Sequence, residues 1–418
     1  MAKPKLALIP AAQGTKFYSV LPSNGTGDFT FTRGSVATRI NAQGLIENVT
    51  SGQSRLNYPM IDGVQKGCPH HILEPARTNL LPYSESFDNG AGWVASGRPS
   101  VESNVIISPD GALNATRLSF GNNSTLRVQP ELTFTNNYSY SIFVKKDIGN
   151  FVTIYCAFFT TSIIVGFDLN NGTCQAGGII EKYGNDWYKI SVSKNVTGDA
   201  DKSGYFYLYS PQELGSTTSV SGNKLYVWGA QVEEGSYPTS YIPTSGTAVT
   251  RSAETASGAG NSTTFNSSEG VLMAEISALA NDVAISLSDN TFNNSISFGV
   301  YLNKISAVIR KDGGYITSGI IDNSGHAFNN NKIAIKYNSS SCDFYVNGFV
   351  VGSSSGVAYS SNVLDNLNFN RGSANDNFYG KTKQLQYYNS ALTESELEQL
   401  TSWQSFRDMA NGQLYTIE

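Results

Sequence analysis

The sequence predicts an all-β chain: an N-terminal β-rich module, two β-sandwich (jelly-roll) domains and one short C-terminal helix. Three observations lead there. Of 418 residues only 15% are charged, below the roughly 25% of ordinary domains, and Gly, Ser, Thr and Asn, the residues of turns, are abundant. Tyr (23) and Phe (21) are plentiful and suit a half-buried pleated surface. Short apolar/polar alternations recur at the period of 2 that marks a strand with one wet face. A single core stops growing at about 250–300 residues, so more than one domain is expected.

Residues 1–75 read as extended pieces between turns. Ser23-Asn24-Gly25-Thr26-Gly27-Asp28 separates Phe17–Leu21 from Phe29–Thr32, and an Asn/Gly turn divides Thr38–Ile40 from Leu45–Glu47. Pro59, Pro69, Pro75 and Pro82 punctuate an irregular connection. Over 76–250 seven or more strands follow, among them Tyr138–Lys145, Val152–Tyr155, Ile163–Leu169, Trp187–Val192, Tyr205–Tyr209 and Lys224–Trp228, the mark of a sandwich or jelly roll. Trp187 and Trp228, on strands, belong to its core. Residues 251–268 are small, polar and without pattern, and read as a linker. Strands resume over 269–418, where Phe344–Val351 holds a two-residue Asn347-Gly348 hairpin turn. The one helix starts at Thr393, an N-cap with Glu396 three residues on, and Leu397, Leu400 and Trp403 share a face.

Net charge is −5 with a pI near 5.4 and no long basic run, so no electrostatic footprint for nucleic acid exists. No apolar run reaches the ~20 residues of a membrane-spanning helix, and the apolar stretch after Met1 is too short for a signal peptide. Synthesis in a host cytoplasm is expected, without membrane insertion. Cys68, Cys156, Cys174 and Cys342 lack Cys-x-x-Cys spacing, which argues for free thiols rather than a zinc site.

Two groups of strings carry a resemblance. Tyr226-Val227-Trp228-Gly229-Ala230-Gln231-Val232-Glu233-Glu234-Gly235-Ser236-Tyr237-Pro238-Thr239-Ser240-Tyr241-Ile242-Pro243-Thr244, then Thr250-Arg251-Ser252-Ala253-Glu254, resembles the segment closing a carbohydrate-binding-module-like domain in many phage and prophage structural proteins. Phe31–Arg39, Leu45–Glu47 and Leu73–Glu85 look like the same proteins in the same order. Lys332–Tyr337, Phe344–Gly348 and Leu385–Leu397 are similar to the laminin-G-like, concanavalin A-like lectin sandwich. The resemblance implies a bacteriophage tail or fibre protein, with residues 1–75 anchoring it to other virion proteins and the sandwiches facing a host-surface glycan or protein. It also implies a homo-oligomer, a trimer by preference, located in the virion.

No catalytic residue is expected. The Glu-x-Asp-x-x-Glu strand of lectin-fold glucanases is absent. Glu394, Glu396 and Glu398 fit a helix N-terminus, and His70, His71 and His326 have no serine elbow beside them. For glycan contact the candidates are Tyr315, Phe328, Asn329, Asn330, Arg371, Asn375 and Asp376, aromatics and planar polar side chains in loop-like segments. Asp322 and Asn323 read either as ordinary turn residues or as oxygen ligands for Ca²⁺, the one cofactor considered. The expected function is adhesion. Its alternatives are an architectural head or tail decoration without sugar binding and a polysaccharide depolymerase.

Overall fold

A computed structural model describes residues 2–88, 92–94, 97–130, 132, 136–157, 162–197, 204–322, 325–372 and 376–405. All named sheets are antiparallel, and among the described residues there is one α-helix.

The central sandwich packs two sheets. One runs Ser100–Ile107, Leu113–Ser119, Lys224–Glu234, Asn137–Ile148, Trp187–Asn195 and Gly178–Lys182; the other runs Leu126–Val128, Tyr205–Tyr209, Phe151–Ala157, Ser162–Asp168 and Thr173–Cys174. Alternation decides what lies between them. Tyr140, Ile142 and Val144 from one strand meet Val152, Ile154, Phe206 and Leu208 from the other sheet. On the far face of the first sheet, Trp187 and Trp228 are fully buried with Phe143 and Tyr241, so both tryptophans are core as expected. Cys156 lies opposite Ile163 and Cys174 opposite Phe167, on opposite edges of one strand. All four cysteines are free.

The second sandwich has a five-stranded sheet, Gly314–Asp322, Lys304–Lys311, Ser295–Tyr301, Val283–Ser288 and Asn366–Asn368. Its other sheet contains Phe349–Ser355, Ser341–Val346, Asn331–Tyr337, Gly270–Ala278 and Gly380–Tyr388. The Asn347-Gly348 hairpin forms as expected: Val346 pairs Phe349 and both turn residues have positive φ, the requirement of the turn that matches strand twist.

The start of the chain does not stand apart as its own module. Leu6–Leu8 and His70–Leu73 pair along the free edge of Gly380–Tyr388, with Leu6 opposite Tyr387 and Leu73 opposite Gly380. Leu6, Leu8, Phe17, Phe29, Phe31 and Leu73 share one core with Leu272, Ile285, Phe298 and Leu385. Residues 251–268 likewise differ from the expected linker. Thr255–Ser257 pairs Phe29–Thr32, Val249–Arg251 pairs Arg77–Asn79, and Ala256, Ala259 and Phe265 are buried. The physical reason is common to both. A strand edge with open N–H and C=O groups must be paired or covered, and the partner for Gly380–Tyr388 comes from the far end of the sequence.

The helix spans Glu394–Thr401, and Thr393 and Glu396 form the expected capping box. Leu397 is buried against Val271, Met273, Tyr345 and Tyr388, so the helix covers its own sandwich. Past its end, Lys332 Nζ lies 4.7 Å from the Trp403 ring centre. Thr393→Ala removes the acceptor for the Glu396 N–H and is expected to lower stability by about 1 kcal/mol, read as a lower urea midpoint. An unchanged midpoint would mean the cap is not coupled to global unfolding.

Candidate functional site

The structure divides the predicted glycan residues. Tyr315, 57% exposed, joins a row of stacked groups: the Arg310 guanidinium carbon sits 4.5 Å from its ring centre and 4.3 Å from that of Phe292. Arg371 lies 5.6 Å over the same Phe292 ring, and its Nε is 3.1 Å from Asp376 Oδ2. So Tyr315, Arg371 and Asp376 do meet, through Phe292 and Arg310, which sequence reasoning did not single out. Asp376 also lines a cavity of about 490 Å³ with Arg77, Tyr237 and Asn281.

Phe328, Asn329 and Asn330 belong elsewhere. Tyr315 opens the strand Gly314–Asp322 and Phe328 follows its end, and seven strand steps amount to roughly 20 Å. There the Phe328 carbonyl accepts from Ser277 Oγ at 2.9 Å, Asn330 donates to Glu275 Oε1 at 2.8 Å, and Asn329 Nδ2 is 3.4 Å from His326 Nδ1. Asn375 and Asn323 lie outside the described residues. Asp322 is a buried strand end opposite Ile305. Among the described residues no group of three or more His, Cys, Asp or Glu side chains is placed to hold a metal ion.

His70 and His71 point to opposite sides of the strand His70–Leu73, and both are buried rather than exposed. His71 lies face to face with Phe17, ring centres 3.8 Å apart and planes 5° from parallel. His70 Nε2 is 3.2 Å from Asn57 Nδ2. Burial pushes the His71 imidazole down to about 3. For His70, burial comes first and the Lys381 and Lys383 charges add to it, holding the ring well below its ordinary value. Both are neutral, which suits core packing.

A site missed in the sequence stands on the outer face of the central sandwich. In Tyr205–Tyr209 the even positions Phe206 and Leu208 are core, which turns Tyr205, Tyr207 and Tyr209 outward. Sheet register places Tyr155 on one side of Tyr207 and Arg127 on the other. The four rings form a ladder: Tyr155 to Tyr207 is 5.4 Å at 20°, Tyr207 to Tyr209 is 6.0 Å at 16°, and Tyr205 to Tyr207 is 5.7 Å at 39°. The Arg127 guanidinium caps it, 5.8 Å over the Tyr205 ring. All four rings are half-buried. Such a row offers apolar ring faces beside phenolic hydroxyls and one fixed cation, the amphipathic surface that a sugar's C–H face and hydroxyl groups require.

The strings that carried the family resemblance converge on a different feature, a buried ion network. Glu254 takes Arg33 Nη1 at 2.7 Å and Arg55 Nε at 2.8 Å; Glu74 takes Arg55 Nη2 and Arg251 Nη1, each at 2.8 Å. Ser240 donates its N–H to Glu74 Oε1 at 2.8 Å and its hydroxyl to Oε2 at 2.6 Å. All five charged residues are buried. Burial alone would raise the Glu74 carboxyl, but Arg251, Arg55 and the Ser240 donors outweigh it and hold it far below the carboxylate range. Glu254 and Glu74, against Arg55's own burial, raise that guanidinium. The network ties residues 33–74 to the 240–254 stretch. The burial of all five charged side chains suits a structural tie.

No family model matches the chain, and no curated protein matches it. Solved structures similar to it include the Ruminococcus gnavus IT-sialidase CBM40 bound to α2,3-sialyllactose, at 16% identity over 33% of this chain and 84% of that chain, with a TM-score of 0.28. The binding domain of Paraclostridial Mosquitocidal Protein 1 is 20% identical over 35% and 43%, TM-score 0.26. Domains LG4-5 of the mouse laminin alpha1 chain are 10% identical over 66% and 94%, TM-score 0.23. The all-β sandwich architecture itself stands on the strand pairings above.

Proposed function

We propose that this chain is a non-enzymatic structural protein of a bacteriophage particle, a tail or fibre component that adheres to a host-surface glycan, and that the tyrosine ladder is its glycan contact. The ladder with Arg127 is the observation that carries the reading. Four half-buried rings held in register by one sheet face present fixed stacking surfaces, and stacking on them supplies affinity without ordering flexible side chains. The strings shared with phage structural proteins support the particle assignment, as a homotrimer attached to other virion proteins. Because Leu6–Leu8 and His70–Leu73 are committed to the second sandwich, attachment would use the outer surface of residues 1–75 and not their strands.

Screening the full chain against bacterial surface polysaccharides should return a binder. Tyr207→Ala, at the centre of the ladder, should then weaken it by about 2 kcal/mol, roughly thirtyfold, while Tyr207→Phe keeps most of the affinity. Equal binding by Tyr207→Ala and the unaltered chain would remove the ladder from the function. Shortening of the bound polysaccharide on incubation would make the protein a depolymerase instead.

A further inference from the structure

The ladder belongs to a longer row whose two ends differ in chemistry. Register carries that row straight across four strands: Arg127 lies opposite Tyr207, Tyr207 opposite Tyr155, and Tyr155 opposite Ile164. Their sequence neighbours Leu126, Phe206, Ile154 and Val165 are core, so all four side chains stand on the outer face. Three interstrand steps amount to roughly 14 Å, the reach of a short oligosaccharide rather than of one sugar ring. Ile164, 47% exposed, extends the apolar floor at one end, and Arg127 stands at the other.

The next row is roofed. Thr153 lies between Tyr209 and Gly166 across the same strands, and it is fully buried although it shares the outer face with Tyr155. Its cover is the segment at Leu214 and Gly215. A side chain on Gly166 would collide with Gly215 N and come within 2.8 Å of Leu214 Cδ1. The Tyr207 and Tyr155 rings therefore form a shelf against a wall. Arg127 adds a charge with nothing to match it: its guanidinium stands over the Tyr205 ring, and among the described residues no carboxylate pairs with it. Its Nε is closed off, which leaves Nη1 and Nη2 for a partner. Those two coplanar donor groups match the two oxygens of one carboxylate. The chain carries a net charge of −5, so it does not draw in polyanions as a whole and the attraction has to be local.

We infer that the row takes an acidic oligosaccharide, with a carboxylate-bearing sugar at Arg127 and the following units stacked over Tyr207 and Tyr155 towards Ile164. Arg127 Nη1 and Nη2 donate to the carboxylate, and the rings take the C–H faces of the sugars. The segment at Leu214 bars the glycan from turning along the strands past Tyr209, so it lies across them. The inference rests on the ladder being the glycan contact and adds the class of glycan and its direction.

Titration calorimetry of the full chain tests it, with oligomers of galacturonic acid and of sialic acid, each beside its methyl ester, and with glucose oligomers as neutral ligands. At least one acidic oligomer should bind. Its methyl ester keeps the rings and removes the charge, and should bind about tenfold more weakly. Arg127→Gln should cost the acidic oligomer the same factor and the ester nothing, with the thermal midpoint in place because no ion pair is broken. Absence of binding by both acidic oligomers at millimolar concentrations, esters that bind as tightly as the acids, or an unchanged affinity in Arg127→Gln each overturns the inference. The two readings fail separately. A neutral glycan whose affinity falls in Tyr207→Ala and holds in Arg127→Gln keeps the ladder and overturns the acidic class, whereas equal binding by Tyr207→Ala and the unaltered chain removes the ladder itself.

Discussion

Replacing Glu254 by Ala is expected to cost about 3–5 kcal/mol of stability. Glu254 is fully buried, and it is the carboxylate paired with Arg33 and one of two paired with Arg55. With it gone, Arg55 keeps Glu74, but Arg33 is left with the Ser35, Val49 and Thr50 carbonyls and the Phe31 ring face. Carbonyls offer dipoles and no counter-charge, so a guanidinium already taken out of water stays uncompensated. The Glu74 backbone N–H, which donates to Glu254 Oε2 at 2.9 Å, is orphaned as well. Glu254→Gln keeps the shape and removes the charge, and should lose most of the same stability. Glu102→Ala breaks the surface pair with Arg117 and should leave the urea midpoint unchanged, since exposed ion pairs contribute little. A Glu254→Ala midpoint within error of the unaltered chain would show that the network is not what joins these segments.

The second large effect is acid lability through His71. Buried and neutral in the fold at a value of about 3, its imidazole regains an ordinary value near 6.5 on unfolding. Between those values the unfolded chain binds the extra proton, so stability rises with pH across this window. The contribution is therefore intact above about pH 6.5 and is lost progressively as pH falls towards 3. The full difference is about 5 kcal/mol, or about 1.4 kcal/mol per pH unit well inside the window. His70, also held low, acts in the same direction. Glu74, depressed by its arginines, adds a loss that begins only as pH drops below the ordinary carboxylate value, about 4.3. Urea unfolding at pH 7, 6 and 5 stays above the Glu74 step; Glu85, whose carboxyl burial raises, works in the opposite direction, so the His71 share is read as the difference between the unaltered chain and a His71 variant. His71→Phe, which keeps a flat ring on Phe17, should flatten that slope. A slope of equal size in the variant would be falsifying.

What could be read from sequence follows the range of the forces involved. The Asn347-Gly348 hairpin, the Thr393–Glu396 capping box and the burial of Trp187 and Trp228 depend on neighbours a few residues away or on a period of 2. So does the outward turn of Tyr205, Tyr207 and Tyr209, whose alternation stands in the sequence although its meaning was missed. Tyr155 and Arg127 join those tyrosines only through sheet register, which no local period encodes. The polar residues gathered around Tyr315 illustrate the same limit. Arg371 and Asp376 were found, but Phe292 and Arg310, which bind them to Tyr315, come from other segments.

The sequence by itself determined the all-β class, the main strands of the two sandwiches, the hairpin and the capped helix, but read as irregular or as linker the stretches that form His70–Leu73, Arg77–Asn79 and Thr255–Ser257. Only the tertiary structure decided that Leu6–Leu8 and His70–Leu73 complete the sheet of Gly380–Tyr388. It likewise decided that Arg33, Arg55, Glu74, Arg251 and Glu254 are buried. Alternation fixes which side of a strand is dry, but every unpaired edge offers the same N–H and C=O groups. The choice among edges, and with it the burial of five charges, is settled by the energy of the whole packed assembly.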